Sequence, residues 1–167
     1  NVLHDSVIRY GGEHTTSDYM IWVRGGGATP LEIRDCVIEE ASSDAIYNGF
    51  SESIWVHDNI IRNYGNYGIT GSIARAEDNT FIGGSRGINL SGTSIIDGNT
   101  ITNNGWGIYL TGTGSSTVRN NTVNGCSYPI YQGDGDPIYS GNSFAGNTNS
   151  VIGVGGTLGG DIRWENV

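Results

Sequence analysis

Asp78-Asn79-Thr80-Phe81 decides the fold, because the same phrase returns along the whole chain. An Asp, Gly or Asn is followed by Asn, then a polar or β-branched residue, then a large apolar one. The full copies are Asp58-Asn59-Ile60-Ile61, Asp78-Asn79-Thr80-Phe81, Gly98-Asn99-Thr100-Ile101, Asn120-Asn121-Thr122-Val123 and Gly141-Asn142-Ser143-Phe144. Asp35-Cys36-Val37-Ile38 and Asp5-Ser6-Val7-Ile8 are the same phrase with the Asn replaced, and Glu165-Asn166-Val167 reads as the start of an eighth. From Ser6 the central positions advance by 30, 23, 20, 20, 22 and 21 residues, to Cys36, Asn59, Asn79, Asn99, Asn121 and Asn142. A period of this size marks a solenoid, in which each turn buries its apolar side against its neighbours.

One turn can be built from residues 99–121. Ile101 points inward, and Asn103-Asn104-Gly105 makes a bend whose residues tolerate left-handed geometry. Gly107-Ile108-Tyr109-Leu110 then alternates as a strand, with Ile108 and Leu110 inside and Tyr109 outside. After a corner at Thr111-Gly112-Thr113-Gly114, a third short strand puts Val118 inside and Arg119 outside. In the turns the second apolar position falls nine residues after the Asn slot at Ile88, Ile108, Ile130 and Val151, and ten after the slot at Ile46 and Ile69. Ile8, Ile38, Ile61, Phe81, Ile101, Val123 and Phe144 then form one internal column. The expected fold is an all-β parallel β-helix of about seven turns, about 34 Å long at the usual strand spacing. It fills residues 1–167 as one domain. The Asn column has a structural reason, since stacked side-chain amides can donate and accept at an inward bend.

The first turn differs from the rest. About ten extra residues make the segment from Glu13 to Tyr19 the expected lateral protrusion, and it carries His14.

Composition removes several function classes. The net charge is −9, from 17 acidic and 8 basic residues, and there is no Lys. Nucleic acid asks for a basic footprint that this chain lacks. No apolar stretch is long enough for a membrane span. Cys36 and Cys126 lie four turns apart, roughly 19 Å or more at the usual strand spacing, too far for a disulfide. Two free, buried thiols are expected. An Asn- and Thr-rich, Lys-free surface suits an extracellular or cell-surface protein.

Stacking also aligns the outward positions. Two residues before each Asn slot stand His4, Arg34, His57, Glu77, Asp97, Arg119, Ser140 and Trp164. One reading is a surface ladder of mixed charge, worth little per pair. The other is an acid/base cluster in which His57 works with Glu77 or Asp97. Neighbouring-turn spacing would suit Glu77 and Asp97 as the carboxylate pair of a retaining glycosidase. The next column holds Asp5, Asp35, Asp58 and Asp78. These carboxylates either cap local backbone or share a cation; calcium is compatible with such oxygens, and no transition-metal spacing is present. A third strip is flanked by two columns, Tyr47, Thr70, Asn89, Tyr109 and Tyr131 on one side and Asp44, Tyr67, Arg86, Trp106 and Tyr128 on the other. Trp106, Tyr109, Tyr128 and Tyr131 therefore cluster, with Tyr67, Arg86 and Asn89 beside them. Exposed aromatics beside Arg and Asn suit a sugar ring, or they reinforce the parallel ladder by stacking.

Asp78-Asn79-Thr80-Phe81 followed by Gly87-Ile88-Asn89-Leu90 resembles the turns of right-handed, single-stranded parallel β-helix repeat proteins. These form the pectate-lyase-like superfamily, which has copper-processing and carbohydrate-epimerase-like members. The resemblance implies an extracellular polysaccharide as substrate and supplies no catalytic residue. The Tyr-Gly-Phe-Asp-Pro-His motif of alginate epimerases is absent. The expected function is therefore binding, with cleavage or modification, of an extracellular polysaccharide, in the manner of a polysaccharide lyase or glycoside hydrolase. His57 would be the base, Glu77 or Asp97 the acid, and Arg34, Arg86 or Arg119 would orient an acidic sugar; His14 is a reserve candidate. No resident cofactor is expected beyond that compatible calcium. The alternative is a non-enzymatic cell-surface spacer or glycan-binding module. Bare β-helix ends expose unpaired strands, so further turns, a capping domain or another chain are expected there.

Overall fold

The computed structural model describes residues 1–11, 18–24, 30–50 and 53–156, and the backbone of 164–165. The Glu13–Tyr19 protrusion falls largely outside these residues, as do His14, Asn166 and Val167. The described chain is an all-β parallel solenoid of about six turns, close to the seven expected.

Three ladders run along its length. The first stacks Val2–His4, Leu31–Arg34, Ile54–His57, Arg75–Glu77, Ile95–Asp97, Thr117–Arg119, Ile138–Ser140 and Trp164–Glu165. The second stacks Val7–Arg9, Val37–Ala41 and Ile60–Tyr64 on the leading halves of Thr80–Leu90 and Thr100–Leu110, then Thr122–Asn124 and Ser143–Ala145. The third stacks Tyr19–Val23, Asp44–Asn48 and Tyr67–Gly71 on the trailing halves of those two long strands, then Tyr128–Gln132 and Ile152–Val154. Every pairing is parallel, and the internal column from Ile8 to Phe144 holds in register through all seven members. Ile38, Ile61, Phe81, Ile101 and Val123 are fully buried.

The repeated phrase has two jobs. Its Asn residues form a continuous internal ladder: the side-chain oxygen of each next Asn accepts from the backbone N–H and the side-chain amide of the one before. Asn59 to Asn79, Asn79 to Asn99, Asn99 to Asn121 and Asn121 to Asn142 repeat this at 3.0–3.1 Å. Each amide also donates to a carbonyl of the preceding turn's first ladder, as Asn79 does to Val56 at 2.8 Å. Cys36, in the Asn slot without an amide, keeps the upper half of the pattern through its N–H to Asn59.

The residue before the Asn explains why Asp, Gly and Asn alternate there. Asp5, Asp35, Asp58, Asp78, Gly98, Asn120 and Gly141 all have φ between 50° and 68°. This is the left-handed region that Asn, Asp and Gly enter most readily. A second left-handed column lies four residues after the Asn slot, at Tyr10, Glu40, Asn63, Gly83, Asn103, Gly125 and Gly146. Two such corners per turn redirect the chain between flat ladders.

Both thiols are buried and free, as expected. Two registers differ from expectation. Ile152, rather than Val151, stacks under Ile130, because the corner after Asn147 takes one more residue than the corner after Cys126. Ser140 pairs with Glu165, and Trp164 with Tyr139, so Glu165 rather than Trp164 stands beside Ser140 in the outward column.

Candidate functional site

Two outer faces carry the chemistry. On the first ladder, the backbone register sets His4, Arg34, His57, Glu77, Asp97, Arg119 and Ser140 in one column, as the spacing predicts. Side-chain partners follow a different pattern. His57 is nearly buried, with Nδ1 2.7 Å from Asp58 and Nε2 2.8 Å from Glu32. Its ring stacks on Trp55 at 4.0 Å. Each ring nitrogen therefore already faces a carboxylate oxygen. Glu77 turns along its own strand to Arg75, 2.8 Å away. Asp97 receives Arg119 at 2.7 Å and the Asn120 amide at 2.8 Å, and Arg34 pairs with Asp35 and Glu32. His57, Glu77 and Asp97 thus occupy consecutive rungs, yet none bonds another.

Sequence reasoning missed Glu32, Trp55 and Arg75, which complete this face. They share the offset four residues before the Asn slot, so the column rule that gave His57 would also have given them.

The third ladder carries the aromatic face. Trp106 stacks on Tyr128 at 4.6 Å, and Tyr109 on Tyr131 at 4.6 Å. The two pairs meet edge to face, with Trp106 5.5 Å from Tyr109 and 5.1 Å from Tyr131. Arg86 lies over Tyr109 at 4.2 Å and donates through Nη1 to the Tyr67 hydroxyl at 2.6 Å. Asn89 donates to Thr70 at 2.8 Å. Arg86 Nε and Asn89 Oδ1 are enclosed without a hydrogen-bond partner. Tyr67, Arg86, Asn89, Trp106, Tyr109, Tyr128 and Tyr131 therefore form the single strip that the sequence places there.

The strip continues further toward the N-terminus than the sequence reading took it. Tyr19 pairs in register with Asp44, and Trp22 with Tyr47. Tyr19 stacks on Tyr47 at 4.1 Å and lies 5.7 Å from Trp22. Asp44, between Tyr19 and Tyr67, is buried, and burial pushes its carboxyl above the ordinary Asp range.

A stacked parallel coil whose corners are amide ladders and whose outer faces carry ordered side-chain columns defines a β-helix repeat protein. The family described as periplasmic copper-binding protein (NosD) matches residues 4–167, and the chain belongs to that family. No curated protein and no solved structure matches it. No helix in the described residues is long and apolar enough to cross a membrane.

Membership overturns the expectation of no resident cofactor with calcium as the compatible ion, because the family's metal is copper. Copper favours imidazole, thiolate and thioether donors. Among the described residues, no three His, Cys, Asp or Glu side chains gather closely enough to hold an ion. Both His57 nitrogens are engaged, and His4, two rungs away, has Nδ1 on Asp5 at 2.6 Å. Cys36 and Cys126 are buried inside the coil, and burial pushes the Cys126 thiol up, away from the thiolate that metals bind. The described donors do not fit a copper centre. The Asp column expected to cap backbone or share a cation is accounted for by its left-handed backbone.

Proposed function

We propose that this β-helix acts outside the cytoplasm as a glycan-binding module, holding a polysaccharide against the aromatic strip of the third ladder. The observation that carries the reading is the surface cluster of Trp106, Tyr109, Tyr128 and Tyr131, four partly exposed rings in contact with one another. Sugars present apolar ring faces and hydroxyl edges, which such a platform flanked by Arg86 and Asn89 can match. The periplasmic character of the family is consistent with a polymer met outside the cytoplasm. Cell-surface placement is part of the same proposal.

Binding rather than cleavage is the better-supported form. His57, Glu77 and Asp97 stand on the first ladder, in a different sheet from the aromatic strip, and each is already engaged by a neighbour. Affinity electrophoresis or calorimetry against a panel of soluble polysaccharides tests the reading. Wild type is expected to be retarded by at least one glycan, and Trp106→Ala with Tyr131→Ala to abolish that retardation while leaving the β-rich circular dichroism intact. Binding that survives the double variant, or a panel that gives none, overturns it.

A further inference from the structure

Ion pairing across the molecule sharpens the glycan reading, on which the following inference rests. Seven of the eight arginines lie among the described residues. Five are ion-paired: Arg9 and Arg62 with Glu39, Arg34 with Asp35 and Glu32, Arg75 with Glu77, and Arg119 with Asp97. The other two, Arg24 and Arg86, have no carboxylate partner among the described residues. Both belong to the aromatic face. Arg24 lies 4.2 Å over Trp22, and Arg86 4.2 Å over Tyr109. In a chain of net charge −9, these are the arginines that no described carboxylate pairs with, and both lie on aromatic rings.

A guanidinium over a ring keeps its charge for a carboxylate; in Arg86, where Nε is enclosed and Nη1 donates to Tyr67, Nη2 is the group left to meet one. Of the acids beside the strip, Asp44 is buried and held toward its neutral form by that burial, and Asp18, next to Tyr19, adds to the effect. The two arginines belong to two separate aromatic platforms. The N-terminal one is Tyr19, Trp22 and Tyr47; the C-terminal one is the four-ring cluster. Five steps of register connect Tyr19 to Tyr128, through Asp44, Tyr67, Arg86 and Trp106. At the usual strand spacing that is roughly 24 Å, a length for several sugar units rather than one.

We infer that the aromatic face binds an acidic glycan, a uronate-bearing chain lying along the solenoid axis across both platforms, with its carboxylates against Arg24 and Arg86. The Tyr19–Trp22–Tyr47 platform is a second subsite of the same groove.

Calorimetry of the full chain with a uronate hexamer and its carboxyl-reduced counterpart tests this, since reduction removes the charge and keeps the chain. The hexamer is expected to bind at least tenfold tighter than the reduced form, and the difference to shrink as salt is added. Arg24→Ala and Arg86→Ala should each weaken hexamer binding about fivefold and leave the reduced chain nearly unaffected. Trp22→Ala should weaken the hexamer and spare a dimer. Circular dichroism on each variant confirms that the coil is intact. Equal affinity for charged and reduced chains, or full affinity in both arginine variants, overturns the acidic-ligand inference while the glycan reading stands. A Trp22→Ala variant that binds the hexamer like wild type overturns the second subsite. If neither chain binds, both the inference and the glycan reading fall.

Discussion

The internal Asn ladder and the outer His57 column sit two residues apart in the same turns and share one register. Inside, register and partner coincide: Asn79 bonds Asn99, which bonds Asn121. Outside they separate. His57 lies directly beside Glu77 on the backbone, yet its side chain reaches Glu32 and Asp58. The difference comes from the surroundings. A buried amide has few places to turn and loses much if left unpaired. An outward charged side chain has several carboxylates within reach and water as an alternative, so stacking alone does not choose its partner.

The largest test breaks the inner ladder. Asn99 accepts from the backbone and side chain of Asn79 and donates to Ala76, Asp97 and Asn121. Asn99→Ala should lose about 3 kcal/mol or more in urea unfolding, since each buried polar group left unpaired costs ~1–3 kcal/mol. A loss below about 1 kcal/mol would remove the ladder from the list of what holds the coil together.

The next test separates the two roles of the repeated phrase. Asp78 has φ of 52°, so Asp78→Gly should leave the urea midpoint almost unchanged. Asp78→Val should destabilise by about 1–2 kcal/mol, because a β-branched residue resists left-handed backbone. Equal midpoints for the two variants would show that the slot is chosen for the carboxylate and not for its conformation.

A double-mutant cycle sharpens the outer half of the comparison. Glu32→Gln with His57→Gln should show a coupling of about 0.5–1 kcal/mol, whereas Glu77→Gln with His57→Gln should be additive within about 0.3 kcal/mol. Coupling between His57 and Glu77 instead would restore the acid/base pair that the spacing alone suggests.

The smallest effects are on pH, and two outer-face acids differ in sign. Arg62, then Arg9, holds the Glu39 carboxyl below the ordinary Glu range, against the opposing effect of burial. Its contribution is complete above about pH 4.3 and is lost as pH falls through the lowered folded value. Asp44 is raised, so its ionised form weakens the fold at neutral pH, and that penalty is relieved as pH falls through the raised value. Melting curves at pH 7 should therefore place Glu39→Gln below wild type and Asp44→Asn slightly above it. Both differences should fade toward pH 3. An Asp44→Asn gain that persists in acid would show that the effect is not ionisation.

Much of the fold was legible. Period, internal columns and Asn ladder follow from spacing, because a stacked coil allows one register and buries the same slots in every turn. The slip at Ile152 arises at a corner, where one added residue changes no apolar pattern until the next strand begins. The left-handed role of the Asp slot was also readable, since Asp, Gly and Asn share a backbone preference, not a charge. On the aromatic strip the columns gave the C-terminal cluster, and the same offsets would have given Tyr19 and Trp22.

The sequence by itself determined the coil: its repeat, its buried columns and which residues share an outer face. Only the tertiary structure decided which outward neighbours bond. It turned His57 to Glu32 and Asp58, paired Glu77 with Arg75, and set Arg24 and Arg86 on aromatic rings with no acid partner among the described residues. The reason is physical. Backbone hydrogen bonding repeats with the sequence and fixes each rung, whereas a surface side chain selects among several partners by its own geometry and reach.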